Sequence, residues 1–323
     1  MSDNNFNYDT FIRNPPNPDD VTRFSSHESL FSSSSSTSFI PNSFNISSFN
    51  VNGLKMHGQT KLEQISTFFS LKNISFGNIV DTHLNPKQMK FLSKRISNYT
   101  VFSSNLDTSK QILSSGGVSL FIENSLASHV QNFQSHFSRL LSVDLYFKGN
   151  VKLRIFVIYI PPPAESVLRS DTIDLLIQQI TLTKQAGFYH AICGDFNMHL
   201  DKYYPIYFNQ PQIASKHIYR LFSHLLSHGY EDYTPLNLSN SLGTFHRNDQ
   251  ITRVDYVWSC PLLKAFALTA YIFDAQDICT SDHNPVITYY DISLLFASTK
   301  LARARQLKRQ ICRVFKFDSV TDI

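Results

Sequence analysis

Residues 189–197 read Tyr189-His190-Ala191-Ile192-Cys193-Gly194-Asp195-Phe196-Asn197. An apolar run of strand length, Tyr189–Cys193, meets a glycine and then delivers Asp195 and Asn197 two positions apart. In a strand, residues two apart share a face, so both polar groups are offered on one side. Gly194 permits a close backbone approach at that strand end. A carboxylate beside an amide suits activation of a water next to a charged phosphate.

Outward from this stretch, short apolar segments alternate with longer amphipathic ones. Strands are expected at Asn45–Asn50, Ile79–Asp81, Val118–Ile122, Leu140–Phe147, Lys152–Tyr159, Tyr189–Cys193, Arg253–Trp258 and Val286–Tyr290. Several are rich in Val, Ile, Tyr and Phe, and turn residues flank them. Helices are expected at Thr60–Leu71, Pro86–Ser97, Ser170–Gln185 and Ser215–Ser227. In the first, Leu62, Ile65, Phe68 and Phe69 fall at helical spacing. His228-Gly229 supplies a stop after the last. Mixed strands and helices over roughly 250 residues define an α/β class.

The flanks differ in composition. Residues 1–43 are rich in Ser, Asn and Pro, with a serine run at Ser32–Ser36. Such a segment buries too little apolar surface to offset its ordering entropy, so disorder is expected. Residues 296–323 hold Lys300, Arg303, Arg305, Lys308, Arg309, Arg313 and Lys316 against Asp318 and Asp322. With Leu301, Leu307, Ile311 and Phe315 at helical spacing, this tail reads as a basic amphipathic helix. It packs on the domain edge, contacts DNA or RNA, or serves as a linker. The tail carries more than the chain's net charge of +4. DNA affinity in the body must therefore come from local patches.

With 42% hydrophobic and 17% charged residues, the segment between the flanks can bury a core. Cys193, Cys260, Cys279 and Cys312 form no CxxC pair and no zinc knuckle, and scattered thiols fit a reducing compartment. The N-terminus shows no secretory pattern, and no apolar run reaches the roughly 20 residues that span a bilayer. The expected location is intracellular, and a DNA substrate would make it nuclear.

Four more motifs fall in order around the first. Ser48-Phe49-Asn50-Val51-Asn52-Gly53 places Asn50 at a strand end, where it orients a phosphate or a metal-bound water, or forms a turn. Ile79-Val80-Asp81-Thr82-His83 closes an apolar strand with a carboxylate, a natural hard-metal ligand and equally a helix cap. Tyr159, before Ile160-Pro161-Pro162-Pro163, can hydrogen-bond a phosphate oxygen or sit at a core rim. Arg253-Val254-Asp255-Tyr256 and Ser281-Asp282-His283-Asn284-Pro285-Val286 supply an Asp–His couple. Such a couple is a general acid–base device, because the carboxylate fixes the imidazole tautomer and favours its charged form.

Taken together, the five motifs resemble the endonuclease/exonuclease/phosphatase superfamily over residues 44–295 and are most similar to LINE-type (non-LTR) retrotransposon endonucleases. The resemblance implies a DNase I-like, four-layer α/β sandwich of two packed mixed β-sheets flanked by helices. It implies a Mg²⁺-dependent phosphodiesterase, with Mn²⁺ as a substitute, that nicks double-stranded DNA by in-line attack of water. By that resemblance, Asn50, Asp81 and Asp282 belong to the metal site. Asp195 activates water, Asn197 and Tyr159 hold the phosphate, and His283, braced by Asp255, binds or protonates a phosphate oxygen. Thr244, in Gly243-Thr244-Phe245-His246, and Arg253 fall on the substrate side.

Two positions depart from the pattern. Asp81 stands where the family usually carries Glu, and Pro162 stands where an Asn commonly follows the tyrosine. They motivate an alternative, a DNase I-like chain that binds nucleic acid or acts as a scaffold without cutting. A phosphatase acting on inositol phosphates or lipids is a third reading, although Met198-His199 follows Asn197 where inositol phosphatases usually carry Tyr-Arg.

Overall fold

The computed structural model describes residues 40–55, 57–106, 116–200, 219–234, 243–247 and 250–295. Nearly all of the Ser/Asn/Pro-rich N-terminal segment lies outside the described residues. So do the whole basic tail with Cys312 and the start of the helix expected from Ser215.

Two six-stranded sheets organise the rest. The first runs β13 (Ala267–Ile272), β14 (Val286–Asp291), β1 (Ser43–Asn50), β2 (Phe76–Val80), β4 (Val118–Glu123) and β3 (Tyr99–Ser103). The second runs β5 (Val130–Phe137), β6 (Leu140–Phe147), β7 (Val151–Tyr159), β8 (Tyr189–Asp195), β12 (Asp255–Ser259) and β9 (Glu231–Asp232). A short hairpin, β10 (Phe245–Arg247) and β11 (Gln250–Thr252), stands apart. Each sheet has a single parallel pair, β1–β2 and β7–β8, and its other pairings are antiparallel. A parallel pair needs a crossover. Helix α1 (Gly58–Leu71) supplies the first and α4 (Ser166–Gln185) the second, while α2 (Pro86–Ser93), α3 (Asn124–Ala127) and α5 (Arg220–Ser227) complete the helices.

Alternation along the strands sets the layers. In β1, Phe44 and Ile46 face the second sheet, whereas Phe49 packs beneath α1 with Leu62, Ile65 and Phe69. In β8, Ala191, Cys193 and Asp195 face the first sheet, while His190 turns outward to Tyr230, 2.6 Å from its hydroxyl. In β12, Tyr256 packs edge-on and Trp258 at a tilt against Phe222 of α5, which leaves Asp255, Val257 and Ser259 facing inward. The result is helix, sheet, sheet, helix, the sandwich that the motifs imply. Each fully buried Phe contributes about 1.5–3 kcal/mol to it.

Glycine matters at two strand positions. A Cβ on Gly77 of β2 would lie 2.3 Å from the Phe69 ring of α1. A Cβ on Gly194 would lie 1.8 Å from the Ile158 carbonyl oxygen of β7, and its φ of +148° is itself a glycine conformation. The close approach at Gly194 is therefore to the neighbouring strand.

Some boundaries move for local reasons. The strand expected at Ile79–Asp81 runs Phe76–Val80, because Asp81 turns left-handed with φ 57°. The helix expected to Ser97 ends at Ser93, and the one expected from Ser170 starts at Ser166. Asn85 caps α2, since its side chain accepts from Gln88 N–H at 2.9 Å while Gln88 returns the bond, a capping box with Pro86 behind it. Among the described residues, no helix is long and apolar enough to cross a membrane.

Candidate active site

Both parallel pairs end at one edge of the sandwich, and the polar motif residues gather there. Asn50 lies beside Val80 in register, so Asp81 follows directly on the neighbouring strand. Gly53 N–H donates to the Asp81 carbonyl at 2.9 Å and Leu54 N–H to that of Thr82 at 3.0 Å, which fastens the two post-strand loops together. Across the sandwich, Tyr159 is the register partner of Asp195, and Asp195 that of Asp255.

Asp195 is the hub. Its Oδ1 accepts Asn197 N–H at 2.8 Å, and its Oδ2 accepts the Asn50 amide at 2.9 Å and the Asn197 amide at 3.3 Å. The Asn50 bond joins the two sheets. Asn197 stands past the strand end in the left-handed region, φ 48°, and its amide also donates to the Ile160 carbonyl at 2.9 Å. Asn tolerates that conformation better than most residues.

The Asp–His couple is assembled from both sheets. His283 Nδ1 donates to Asp255 Oδ2 at 2.8 Å. Ser281 orients the loop, its hydroxyl donating to the Asn50 carbonyl at 2.8 Å and accepting His283 N–H at 3.1 Å. Thr244 Oγ1 accepts the N–H groups of Val254 at 2.8 Å and Asp255 at 3.0 Å. Thr244 is fully buried, so it positions Asp255. Phe245 packs its ring 4.8 Å from the His283 ring.

Asp195, Asp255 and His283 bring one ligand atom each within 4.8 Å of one another, and all three are buried. Burial alone pushes the His283 imidazole down, but the Asp255 carboxylate, with Asp195 and Asp282 beyond it, holds it at about 9. Burial and the facing Asp255 push Asp195 up to about 7, against the pull of His283 and the bonds from Asn197 and Asn50. Burial, with Asp81 and Asp195 nearby, raises the Tyr159 phenol well above its ordinary value. Tyr159 therefore stays a donor, and the Arg139 guanidinium lies 5.1 Å over its ring.

A second, wetter group lies beside this one. The exposed Asn52 amide donates to Asp282 Oδ1 at 3.1 Å, and Asp81 Oδ1 sits 2.9 Å from His83 Nε2. Lys61 of α1 reaches the loop carbonyls of Val51 and Gly53. Burial lowers its ammonium, and Cys279, Asp282 and Asp81 oppose that. Asn50, Asp81 and Asp282 offer only oxygen donors, the set a hard divalent cation takes. In the drier group, Asp195 accepts from Asn50 and Asn197 and Asp255 Oδ2 from His283, while the buried Asp255 Oδ1 has no hydrogen-bond partner among the described residues.

Arg253 is placed elsewhere. It is 1% exposed and its Nη1 pairs with Asp232 at 2.7 Å and the Thr234 carbonyl at 3.2 Å. A guanidinium so enclosed ties β9 to β12 and has no face for a substrate.

Sequence reading passed over three residues that hold this edge. Buried Arg169 of α4 donates to the carbonyls of Pro161 and Asn197, joining the loops after β7 and β8. Asn284 bonds Ala275 N–H at 2.9 Å, the Gly243 carbonyl at 3.1 Å and His246 at 2.8 Å. Lys61 is the third. The only local signal was that Asn284 follows His283. Arg169 and Lys61 look like ordinary charges on amphipathic helices.

No protein-family model matches the sequence, and no curated protein does. Solved structures do match the fold. The AP endonuclease of Leishmania major superposes with a TM-score of 0.64 at 12% identity, covering 80% of this chain and 91% of that one. The APE2 catalytic domain of Xenopus laevis gives 0.60 at 14% identity, covering 77% and 92%. The endonuclease domain of TRAS1, a telomere-specific non-LTR retrotransposon, gives 0.53 at 12% identity, covering 77% and 98%. The likeness that the five motifs carry thus extends to the tertiary structure, and the chain has the DNase I-like fold that these structures share.

Proposed function

We propose that residues 44–295 form a divalent-metal-dependent phosphodiesterase that nicks double-stranded DNA, of the LINE-type retrotransposon kind. The observation that supports it most is the His283–Asp255 couple set against Asp195, with Asn50 bonded to Asp195 across the sheets. A phosphodiester is anionic and repels a nucleophile, so the site must supply positive charge and a base at opposite ends of one phosphate. The Asp195 carboxylate takes a proton from the attacking water. His283, held protonated, donates to a non-bridging phosphate oxygen, and the Tyr159 phenol donates to a second. Asn197 Oδ1 orients the water while its amide stays fixed on Ile160. In-line displacement forms the bond from the water oxygen to phosphorus and breaks the P–O3′ bond; the departing oxygen takes a proton from solvent, which leaves a 3′-hydroxyl and a 5′-phosphate.

Asn50, Asp81 and Asp282 would hold the cation, Mg²⁺ or Mn²⁺, which supplies charge neutralisation at the leaving oxygen when bound. The basic tail at 296–323 adds sequence-independent affinity for the duplex.

One observation favours a binding-only reading. The Asp81 carboxylate, already a methylene shorter than Glu, is engaged by His83 at 2.9 Å. The two readings separate on supercoiled plasmid with Mg²⁺ or Mn²⁺, beside Asp195→Ala and His283→Ala. The nuclease reading expects metal-dependent nicking, reduced about 10²–10⁴-fold in each variant. Folded wild type that binds plasmid without nicking it establishes the binding-only reading, and Asp81→Glu then tests whether the short ligand is the defect. Phosphate release from inositol phosphates without nicking would overturn both.

A further inference from the structure

The loops that carry Asn50 and Asp81 also wall a pocket of about 560 Å³ between α1 and α2. Leu54, Leu84 and Leu92 give it an apolar lining, and Lys55 and Lys87 stand among its polar residues. Phe91 borders it with 70% of its surface exposed. An aromatic ring left this open, beside an apolar hollow, lacks the partner that would normally cover it. Lys94 Nζ lies 5.9 Å from the centre of that ring. Residues 86–97, which form α2 and its exit, carry Lys87, Lys90, Lys94 and Arg95 and no acidic residue.

Three requirements on the occupant follow. It must be anionic, to match the cations. It must present a flat apolar face, to use Phe91. It must also be small, since the volume suits one small-molecule-sized group and excludes a duplex. An acidic peptide meets the first requirement and fails the second. The bonds from Gly53 and Leu54 to the Asp81 and Thr82 carbonyls fix the pocket against the candidate catalytic edge, so a strand crossing that edge continues into it.

We propose that this pocket takes an unpaired base of the cut DNA strand next to the scissile phosphate, stacked on Phe91, with Lys55 and Lys87 on the adjoining phosphates. The proposal rests on the nuclease reading above and names the substrate form that the site prefers: DNA with a single-stranded flank.

The test is equilibrium binding of the full chain to a duplex with a short single-stranded extension that carries 2-aminopurine, with a blunt duplex as control. Wild type should bind the extended DNA more tightly and quench the fluorophore. Phe91→Ala should weaken that binding about ten-fold, the scale of one lost base–aromatic stack, and abolish the quench. Phe91→Trp should restore both, and Lys87→Glu should weaken binding and flatten its loss with salt. On the blunt duplex, Phe91→Ala should bind as wild type does. Equal affinity of wild type and Phe91→Ala for the extended DNA would overturn the proposal, and so would an equal loss on both DNAs. Plasmid nicking, read in parallel, reports separately on the catalytic reading: a wild type that nicks while Phe91→Ala changes nothing sinks the pocket and leaves the nuclease standing.

Discussion

The two sheets share one plan and treat their ends differently. Each is six-stranded, with one parallel pair bridged by a long helix, and both pairs point toward the same edge. The second sheet ends dry, with Asp195 and Asp255 opposed on adjacent strands and buried. The first ends wet, with Asn52 and Asp282 exposed and Asp81 partly so. Their helical layers differ too. The charged residues of the α2 segment are all cationic, with Arg95 paired to Glu63 of α1 at 3.5 Å, whereas α4 sets Asp171 and Asp174 against Arg169 and Lys184, and Arg220 of α5 pairs with Asp174 at 2.6 Å. Low dielectric strengthens proton-handling pairs, and an open rim suits the exchange of a cation and a polyanion. Under the function proposed above, the difference amounts to a division of labour: proton chemistry on the dry side, cation and strand on the wet side.

The sharpest way to break that division is to substitute one carboxylate on each side. Asp255→Asn should cost about 10³-fold in nicking rate at any metal concentration, because the imidazole loses its orienting carboxylate. Asp282→Asn should lose activity at low Mg²⁺ and regain most of it at high Mg²⁺. Metal titrations of the nicking rate check both, and recovery of Asp255→Asn at high Mg²⁺ would merge the two sides into one metal site.

The next effect concerns backbone. Gly194→Ala pushes a Cβ against a β7 carbonyl that cannot step aside, whereas Gly77→Ala meets a ring on α1. Overpacking against side chains costs about 1–3 kcal/mol, and the backbone collision with its strained φ should cost more. Chemical denaturation should find Gly194→Ala at least about 3 kcal/mol less stable and Gly77→Ala within the smaller range. The reverse order would mean that the first sheet is the stiffer.

The smallest effect is a pH dependence outside the site. Burial lowers His190 to about 4, while its ring bonds the Phe188 carbonyl and the Tyr230 hydroxyl. The unfolded chain takes up this proton near pH 6.5 and the folded chain only near 4. Stability is therefore full above pH 6.5 and falls by up to about 3 kcal/mol as pH drops toward 4. His190→Gln should flatten that part of the curve in denaturant midpoints measured from pH 7.5 to 4.5. An unchanged slope would show that the outer face of the second sheet is wetter than its burial implies.

The legible and illegible parts of the chain divide along the same physical line. Every strand expected from sequence is an inner strand of a sheet, where burial enforces apolar runs. Of the strands that escaped notice, β3, β5, β9 and β13 are the four edges of the two six-stranded sheets, and β10 and β11 make the separate hairpin. An edge strand has one solvated side, and Val130–Phe137, with Gln131, Asn132, Gln134, Ser135 and His136, shows how little period survives there. At the site, residues that follow strand ends were legible because a polar group closing an apolar run is conspicuous. Lys61 and Arg169 were not, because their bonds go to loop carbonyls outside their own helices that no local pattern marks. Arg253 shows the converse, a conspicuous charge beside Asp255 that is consumed by a buried partner.

The facing pair Asp195 and Asp255 has an evolutionary consequence. Like charges opposed on neighbouring strands work against the sheet, and burial sharpens the penalty, so the fold carries this pair against its own stability. A neutral amide at position 195 would relieve the repulsion and leave the His283–Asp255 pair intact. On the nuclease reading proposed above, cutting is the function for which both carboxylates would be kept. Once cutting is no longer needed, drift at the Asp195 codon runs downhill in energy, and the site erodes while the scaffold grows sturdier.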